Sequence, residues 1–278
     1  MAINPSGHWN IKRHLLVVGL IAVVGTLMGG CASTSREAGA DRPRDEIVTA
    51  SDETDARKRA RIRLELAIGY FEQGQTNIAL DELKQSIAAD PTYSAGYNMR
   101  GLIYMRLNDY RFAEESFKQA LALSPRDASV IHNLGWLLCQ QSRYPESSAM
   151  FLQALANPQY GERAKTYMAH GLCQVRANDL TAAEASLKKS YELDAGNPIT
   201  AFNMATLLYK RGDFVQSQFY IRRLNNSQLA NAESLWLGVK VERQLNNTEA
   251  LNQLAGQLEK RFSASPETIL YHRGAFNE

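Results

Sequence analysis

A segment of about 34 residues recurs along most of this chain and restricts the folds open to it. The copy at 94–127 contains two sets of residues spaced by three or four positions, which are separated by a polar turn at 108–109 and closed by Pro125: Tyr97, Gly101 and Tyr104, then Ala113, Phe117 and Ala120. Such spacing places each set on one face of a helix. Neither helix could bury its stripe alone, so the segment predicts a helical hairpin that needs similar neighbours.

The neighbours follow at a sustained period. The small residue equivalent to Gly101 recurs at intervals of 34, 34, 36, 34 and 33 residues: Ala67, Gly101, Gly135, Gly171, Ala205 and Gly238. The larger apolar residue of the second helix recurs with it: Leu83, Phe117, Phe151, Leu187, Ile221 and Leu254. The period predicts six repeats at about 60–93, 94–127, 128–163, 164–197, 198–230 and 231–264, with 265–278 as a C-terminal cap.

This pattern resembles the tetratricopeptide repeat family. The resemblance implies an all-α fold, a right-handed superhelical solenoid of six helix-turn-helix repeats with a concave groove lined by the first helix of each repeat. Some copies depart from the family pattern. Repeat 3 ends with Pro158 and two extra residues, and repeats 4 to 6 lack the closing proline.

The N-terminus has a different composition. Lys12, Arg13 and His14 precede a run without charge at 15–28, which is 14 residues long. A bilayer-spanning helix needs about 20 residues, so 1–30 is predicted to be a cleaved signal peptide. An ordinary secretory signal and an uncleaved anchor are the alternatives to the interpretation that follows.

The run ends in LMGGC, which resembles the lipobox of bacterial lipoproteins, although Met28 stands where leucine is usual. The resemblance implies lipidation of Cys31 with diacylglycerol and an acyl chain. More than one chain is needed for a lasting anchor, at about 0.8 kcal/mol per buried CH₂. Ala32 after the cysteine favours the outer membrane by the same resemblance. The polar segment 31–56 is predicted to be a flexible tether that holds a repeat domain at 57–278 in the periplasm.

The net charge of the mature chain argues against two classes of partner. Removing 1–30 takes away Lys12 and Arg13 and no acid, so 31 − 2 = 29 basic residues face 29 acidic ones. A protein that binds nucleic acid or acidic lipid is expected to carry a basic excess. Neither is therefore expected as a partner.

The chain shows no motif of an enzyme: GxxxxGK[ST], HExxH and GxSxG are all missing. We expect no catalytic residue, metal site or cofactor. The suggestive set is His132, Cys139, His170 and Cys173, which would bind zinc only if all four converged. A disulfide is possible in the periplasm, but it needs Cα atoms within about 7 Å, whereas packed helices lie ~8–10 Å apart. The pattern favours two buried packing cysteines over a bridge.

The family resemblance also places partner-binding residues in the groove, at fixed positions of each first helix. Carried over to this sequence, these positions are Leu64, Ile68, Phe71, Asn98, Leu102, Met105, His132, Trp136, Met168, Leu172, Phe202 and Tyr209, with Ala232, Leu235, Val239 and Glu242 in repeat 6. Aromatic residues and Met suit a groove that receives a helix or strand of a partner. Packing of the superhelix core is the equal alternative for each of them.

The whole arrangement resembles the type IV pilus biogenesis lipoproteins, the pilotins of the pilus secretin. The resemblance rests on LMGGC, the polar segment after it, and repeat cores such as RLELAIGYFEQGQTNIALDELKQSIAADP and HNLGWLLCQQSRYPESSAMFLQAL. It implies an outer-membrane protein that binds the secretin and promotes its localisation and multimer assembly. A scaffold for outer-membrane protein assembly or cell-wall enzymes is one alternative, and a hydrolase is another.

Overall fold

The computed structural model describes residues 52–277, and these form thirteen α-helices and no strand. Cys31, the signal peptide at 1–30 and nearly all of the tether at 31–56 lie outside the described residues. The helices are α1 Asp55–Glu72, α2 Thr76–Ala89, α3 Ser94–Arg106, α4 Tyr110–Leu123, α5 Ala128–Gln140, α6 Tyr144–Leu155, α7 Arg163–Arg176, α8 Leu180–Leu193, α9 Pro198–Arg211, α10 Phe214–Asn225, α11 Ala232–Gln244, α12 Thr248–Arg261 and α13 Pro266–His272.

The first twelve helices form six hairpins, so the predicted all-α solenoid of six helix-turn-helix repeats is confirmed. Each helix packs mainly against its neighbours in the chain, as expected for stacked repeats. The hairpins are centred on the predicted repeats, although α1 begins at Asp55, before the predicted start at about residue 60.

The turn inside each hairpin explains where the first helix ends. One residue of each turn takes a positive φ, between 55° and 83°: Gly74, Asn108, Ser142, Asn178, Gly212 and Asn246. Glycine, and less readily asparagine, tolerate this left-handed conformation. The next residue often caps the second helix, and Asp109, Asp179 and Asp213 each accept a backbone N–H three residues on.

The core of each hairpin depends on the small residue that marks the repeat. A Cβ on Gly101 would lie 2.5 Å from the Phe117 ring, and one on Gly171 would lie 2.7 Å from Leu187 Cγ. Phe117 and Leu187 are fully buried. The marker is small because the large residue of the second helix occupies the space beside it.

The solenoid has two distinct sides. Successive first helices (α1, α3, α5, α7, α9 and α11) approach one another closely, whereas the backbones of successive second helices (α2, α4, α6, α8, α10 and α12) do not. Because the elements of a curved stack converge on its inside, the exposed side of the first helices is the concave one. We call it the inner face, and the exposed side of the second helices the outer face.

Helix α13 follows the last hairpin and packs against α11 and α12. Tyr271 and the downstream Phe276 lie against Trp236, with ring centroids 6.4 and 5.2 Å away. This segment therefore covers apolar surface of the last repeat. None of the helices in 52–277 combines the length and hydropathy needed to cross a bilayer.

Candidate protein-binding surface

Most of the predicted groove residues lie along the inner face and remain partly accessible. Ile68 is exposed, and the others are half-buried: Phe71, Asn98, Leu102, Met105, Trp136, Met168, Leu172, Phe202 and Tyr209. Leu102 and Met105 pack against the core beneath α3 and α5, and Phe202 and Tyr209 against the core beneath α9 and α11. These side chains pack against the core and also remain accessible at the surface, so the groove and core interpretations of the sequence do not exclude each other here.

Two predicted groove residues lie in the core instead. Leu64 is buried with Ala67 and Leu83 in the first hairpin. His132 is buried as well, and its Nδ1 is 2.8 Å from the hydroxyl of Thr166, which also bonds Tyr160. Burial, and after it the nearby Lys165 ammonium, lowers the pKa of His132 to about 4. Neither residue offers surface to a partner because close stacking of the first helices covers these positions.

The pattern fails more fully in repeat 6. Leu235, Val239 and Glu242 have no exposed surface. The Glu242 carboxylate accepts hydrogen bonds from the Arg222 guanidinium at 2.7 Å and from Gln218 Nε2 at 2.8 Å, both on α10. This ion pair raises the pKa of Arg222. In this repeat the supposed groove position instead joins α11 to the preceding hairpin.

Cations rest on several of the inner-face aromatic rings. The Arg106 guanidinium lies 5.0 Å from the Phe71 ring centre, and the Arg176 guanidinium lies 5.0 Å from that of Trp136. In each case the cation comes from a later first helix than the ring. Such contacts contribute about 0.5–1 kcal/mol at exposed sites. Sequence reasoning missed them, although a basic residue in the last turn of the first helix was a visible signal.

A disulfide joins two first helices beside this surface. Cys139 on α5 and Cys173 on α7 are bonded and buried, with Cα atoms 5.8 Å apart. The expectation of two unbridged packing cysteines was therefore wrong. It relied on an average distance between helices, but small residues such as Ala169 in the same cluster let the two backbones approach more closely. The bond cross-links repeat 3 to repeat 4.

A metal site is not formed from the four residues considered for one. The bridge occupies both sulfur atoms, His132 bonds Thr166, and His170 Nε2 is 2.8 Å from the Ser148 hydroxyl. Residues 52–277 contain no group of three or more His, Cys, Asp or Glu side chains placed to hold a metal ion.

A polar contact also links the inner faces of repeats 2 and 3. Asn133 Nδ2 donates to Asn98 Oδ1 at 3.0 Å, and both side chains are half-buried. From α1 to α9 the inner face therefore carries apolar, polar and cationic side chains. Such a concave strip suits a segment of another protein.

Comparison with known proteins agrees with this architecture. The family model for the tetratricopeptide repeat matches residues 94–127, and a second model of the same description matches 132–198. Residues 94–127 and 132–198 are therefore similar to tetratricopeptide repeats. These matches span repeats 2 to 4, where the inner face carries the Arg106 and Arg176 contacts.

Similar proteins include a relative from Pseudomonas aeruginosa described as type IV pilus assembly protein PilF. It is 27% identical over 204 residues, which are 73% of this chain and 81% of that protein. Among solved structures, PilW, described as a widely conserved type IV pilus biogenesis factor, is 29% identical with a TM-score of 0.69, covering 76% of this chain and 98% of PilW. The structure of Pseudomonas aeruginosa PilF gives 25% identity and a TM-score of 0.71, covering 80% and 100%.

Proposed function

We propose that this protein is an outer-membrane lipoprotein that acts as a pilotin in type IV pilus biogenesis. In this role its repeat domain binds the pilus secretin and promotes the localisation and multimer assembly of that protein. The domain works by holding a partner and has no catalytic step.

The observation that carries the proposal is the extent of the likeness to the two pilus proteins. Nearly all of the PilW and PilF structures superimposes on this chain, so the likeness covers a whole protein and exceeds one common repeat. Fold alone does not determine function. The lipobox-like LMGGC adds an independent argument, because a secretin must reach the outer membrane.

Lipid at Cys31 would direct the complex along the lipoprotein sorting route. Replacing it, Cys31→Ser, should leave a folded repeat domain and reduce secretin multimers in the outer membrane. The measurement is membrane fractionation with detection of secretin multimers. Normal multimers in cells that carry the variant would contradict this step.

Contact with the secretin is assigned to the inner face. Trp136→Ala and Phe71→Asp should weaken co-isolation of the secretin from solubilised membranes, since both remove half-buried aromatic surface. Phe219→Ala on α10 is the matched control, because this ring is 58% exposed on the outer face. Helical circular dichroism must stay unchanged in all three. An equal loss of secretin co-isolation with the control variant, or no loss with the two inner-face variants, would contradict the assignment of the contact to the inner face.

A further inference from the structure

The charges of this chain are neutral in sum but unevenly distributed over the solenoid. The first helices of repeats 2 to 5 (α3, α5, α7 and α9) contain no acidic residue and seven basic ones: Arg100, Arg106, Arg163, Lys165, Arg176, Lys210 and Arg211. The neutrality of the whole chain therefore says little about the inner face.

Three of these cations turn away from the inner face. Arg100 donates to Ser116 of α4, Arg163 donates to the Leu155 carbonyl, and Arg211 pairs with Glu184 of α8. Lys165 has Glu162, the residue that precedes α7, at 3.8 Å. The other three stand at the same place in their repeats, in the last turn of the first helix.

These three are Arg106, Arg176 and Lys210, and all are exposed. The two arginines lie over Phe71 and Trp136, and within the described residues none of the three pairs with a carboxylate. A cation in the last turn of a helix also interacts favourably with the helix dipole, which stabilises the helix by about 0.3–1 kcal/mol. The dipole accounts for the sign of the charge, but it does not account for the lack of any acid on four consecutive first helices.

Like charges lie close together at one place on this surface. Burial and the neighbouring Lys210 ammonium lower the pKa of Lys240, whose ammonium lies 5.6 Å from the Tyr209 ring centre. Repulsion between cations costs free energy in the unbound protein, and a bound anion would relieve it.

We propose that the inner face of repeats 2 to 5 binds an extended protein segment whose acidic side chains meet Arg106, Arg176 and Lys210 and whose apolar side chains lie on the strip between them. This inference rests on the proposed function, in which a protein occupies the inner face. The half-buried Leu102, Trp136 and Leu172 supply the apolar part. A membrane surface has no means of entering a concave strip, so a protein segment is favoured over lipid.

The spacing of the repeats sets the spacing of the acids. Adjacent first helices lie ~8–10 Å apart, and an extended chain advances about 3.3 Å per residue. Arg176 and Lys210 are one repeat apart, while Arg106 and Arg176 are two apart with neutral Gln140 between. The segment should therefore place acids about six residues apart and then about two residues apart, because even spacings keep all three side chains on one face of the extended chain.

The test uses the full chain in detergent and a fluorescently labelled peptide of about 13 residues. The peptide consists of Leu, Phe and Ser, with three Glu placed at the predicted spacings of the acids. A peptide with Gln in place of Glu is the control ligand. The inner variant is Arg106→Gln with Arg176→Gln. The outer control is Arg111→Gln with Arg223→Gln, because these arginines also lie over rings, those of Phe112 and Tyr191.

Fluorescence anisotropy should show the Glu peptide binding about tenfold more tightly than the Gln peptide, with the difference falling as salt rises. The inner variant should lose that difference and the outer control should keep it. Equal affinity for the two peptides, or equal loss in the two variants, would overturn the inference. So would charge-dependent binding of anionic vesicles that the inner variant alone abolishes.

Co-isolation of the secretin with the same variants separates the two proposals. Charge-selective peptide binding without any secretin capture would leave this inference standing and contradict the proposed function. Secretin capture that survives in the inner variant, together with loss of peptide binding, would overturn the inference alone.

Discussion

The inner and outer faces of this solenoid come from the same hairpins, yet they differ in chemistry. On the outer face, cations and acids alternate: Glu114 of α4 lies between Lys118 and Arg143, at 2.8 and 2.7 Å. Desolvation raises the pKa of Glu114, but these cations outweigh it and the pKa is lowered overall. Inner helices α3, α5, α7 and α9 contain no acid to pair in this way.

The difference shows that a repeat fixes the fold without fixing the surface. Packing requires only the buried positions, such as Gly101 and Phe117, and leaves the exposed ones free to diverge. Aromatic rings under arginines occur on both faces, so the absence of carboxylates from α3, α5, α7 and α9 is what distinguishes this part of the inner face. The predictions below separate effects on the shared core from effects on either face.

The largest effect is expected from the core between the faces. Phe117→Ala should lower the free energy of unfolding by about 3–5 kcal/mol, since it removes a fully buried ring and leaves a cavity. Urea unfolding followed by circular dichroism gives the value. The exposed Phe219→Ala on the outer face should cost within about 0.5 kcal/mol. Similar losses in both would contradict the assignment of the core.

Removal of the disulfide comes next. Cys139→Ser with Cys173→Ser should cost about 3–4 kcal/mol, because the bond closes a loop whose ends are 34 residues apart in the sequence. The comparison is urea unfolding of the wild type with and without reductant, beside the double variant. If reductant lowered the stability of the double variant as much as that of the wild type, the bond would not be the cause.

Acid should weaken the packing of α5 against α7 through His132. Its pKa is about 4 in the folded chain and about 6.5 when unfolded, so the unfolded state takes up the proton first. Stability is therefore complete above pH 6.5 and falls as the pH drops towards 4, by on the order of 2 kcal/mol between pH 7 and 5. His132→Gln should show a smaller fall.

Buried His170, whose pKa is also lowered by burial, should retain part of the pH dependence in that variant. A fall between pH 7 and 5 as steep in His132→Gln as in the wild type would contradict the role given to His132. Thermal unfolding at a series of pH values makes the comparison.

The smallest effect on stability is expected from the exposed arginines. Arg106→Gln with Arg176→Gln, and Arg111→Gln with Arg223→Gln, should each cost about 1–2 kcal/mol or less, as expected for two exposed contacts with rings. The faces should then differ in binding and agree in stability. A much larger loss of stability from the inner pair would make those arginines structural.

The sequence was sufficient to predict the repeats because the spacing of their residues reflects backbone geometry. Gly101 and Phe117 recur in equivalent form, so six hairpins could be predicted from positions alone. The polar turn at 108–109 was visible for the same reason, and Asn108 takes the positive φ there. Local constraints of this kind do not depend on which repeat lies alongside.

The site was less predictable because it depends on how neighbouring repeats stack. His132 occupies a groove position in the pattern but is covered by the next hairpin, and Glu242 finds partners on α10. The Cys139–Cys173 bond depended on one close approach of two helices. The absence of acids from α3, α5, α7 and α9 is visible in the sequence once the helix bounds are known. The net charge of the whole chain conceals it.

Site-specific photo-crosslinking tests the central claim most directly. A photoreactive phenylalanine analogue is placed at Leu102 on the inner face or at Phe219 on the outer face of the full chain, and illuminated cells are searched for an adduct with the pilus secretin. The account predicts an adduct from position 102 and none from position 219. An adduct from position 219 with none from position 102 would contradict it.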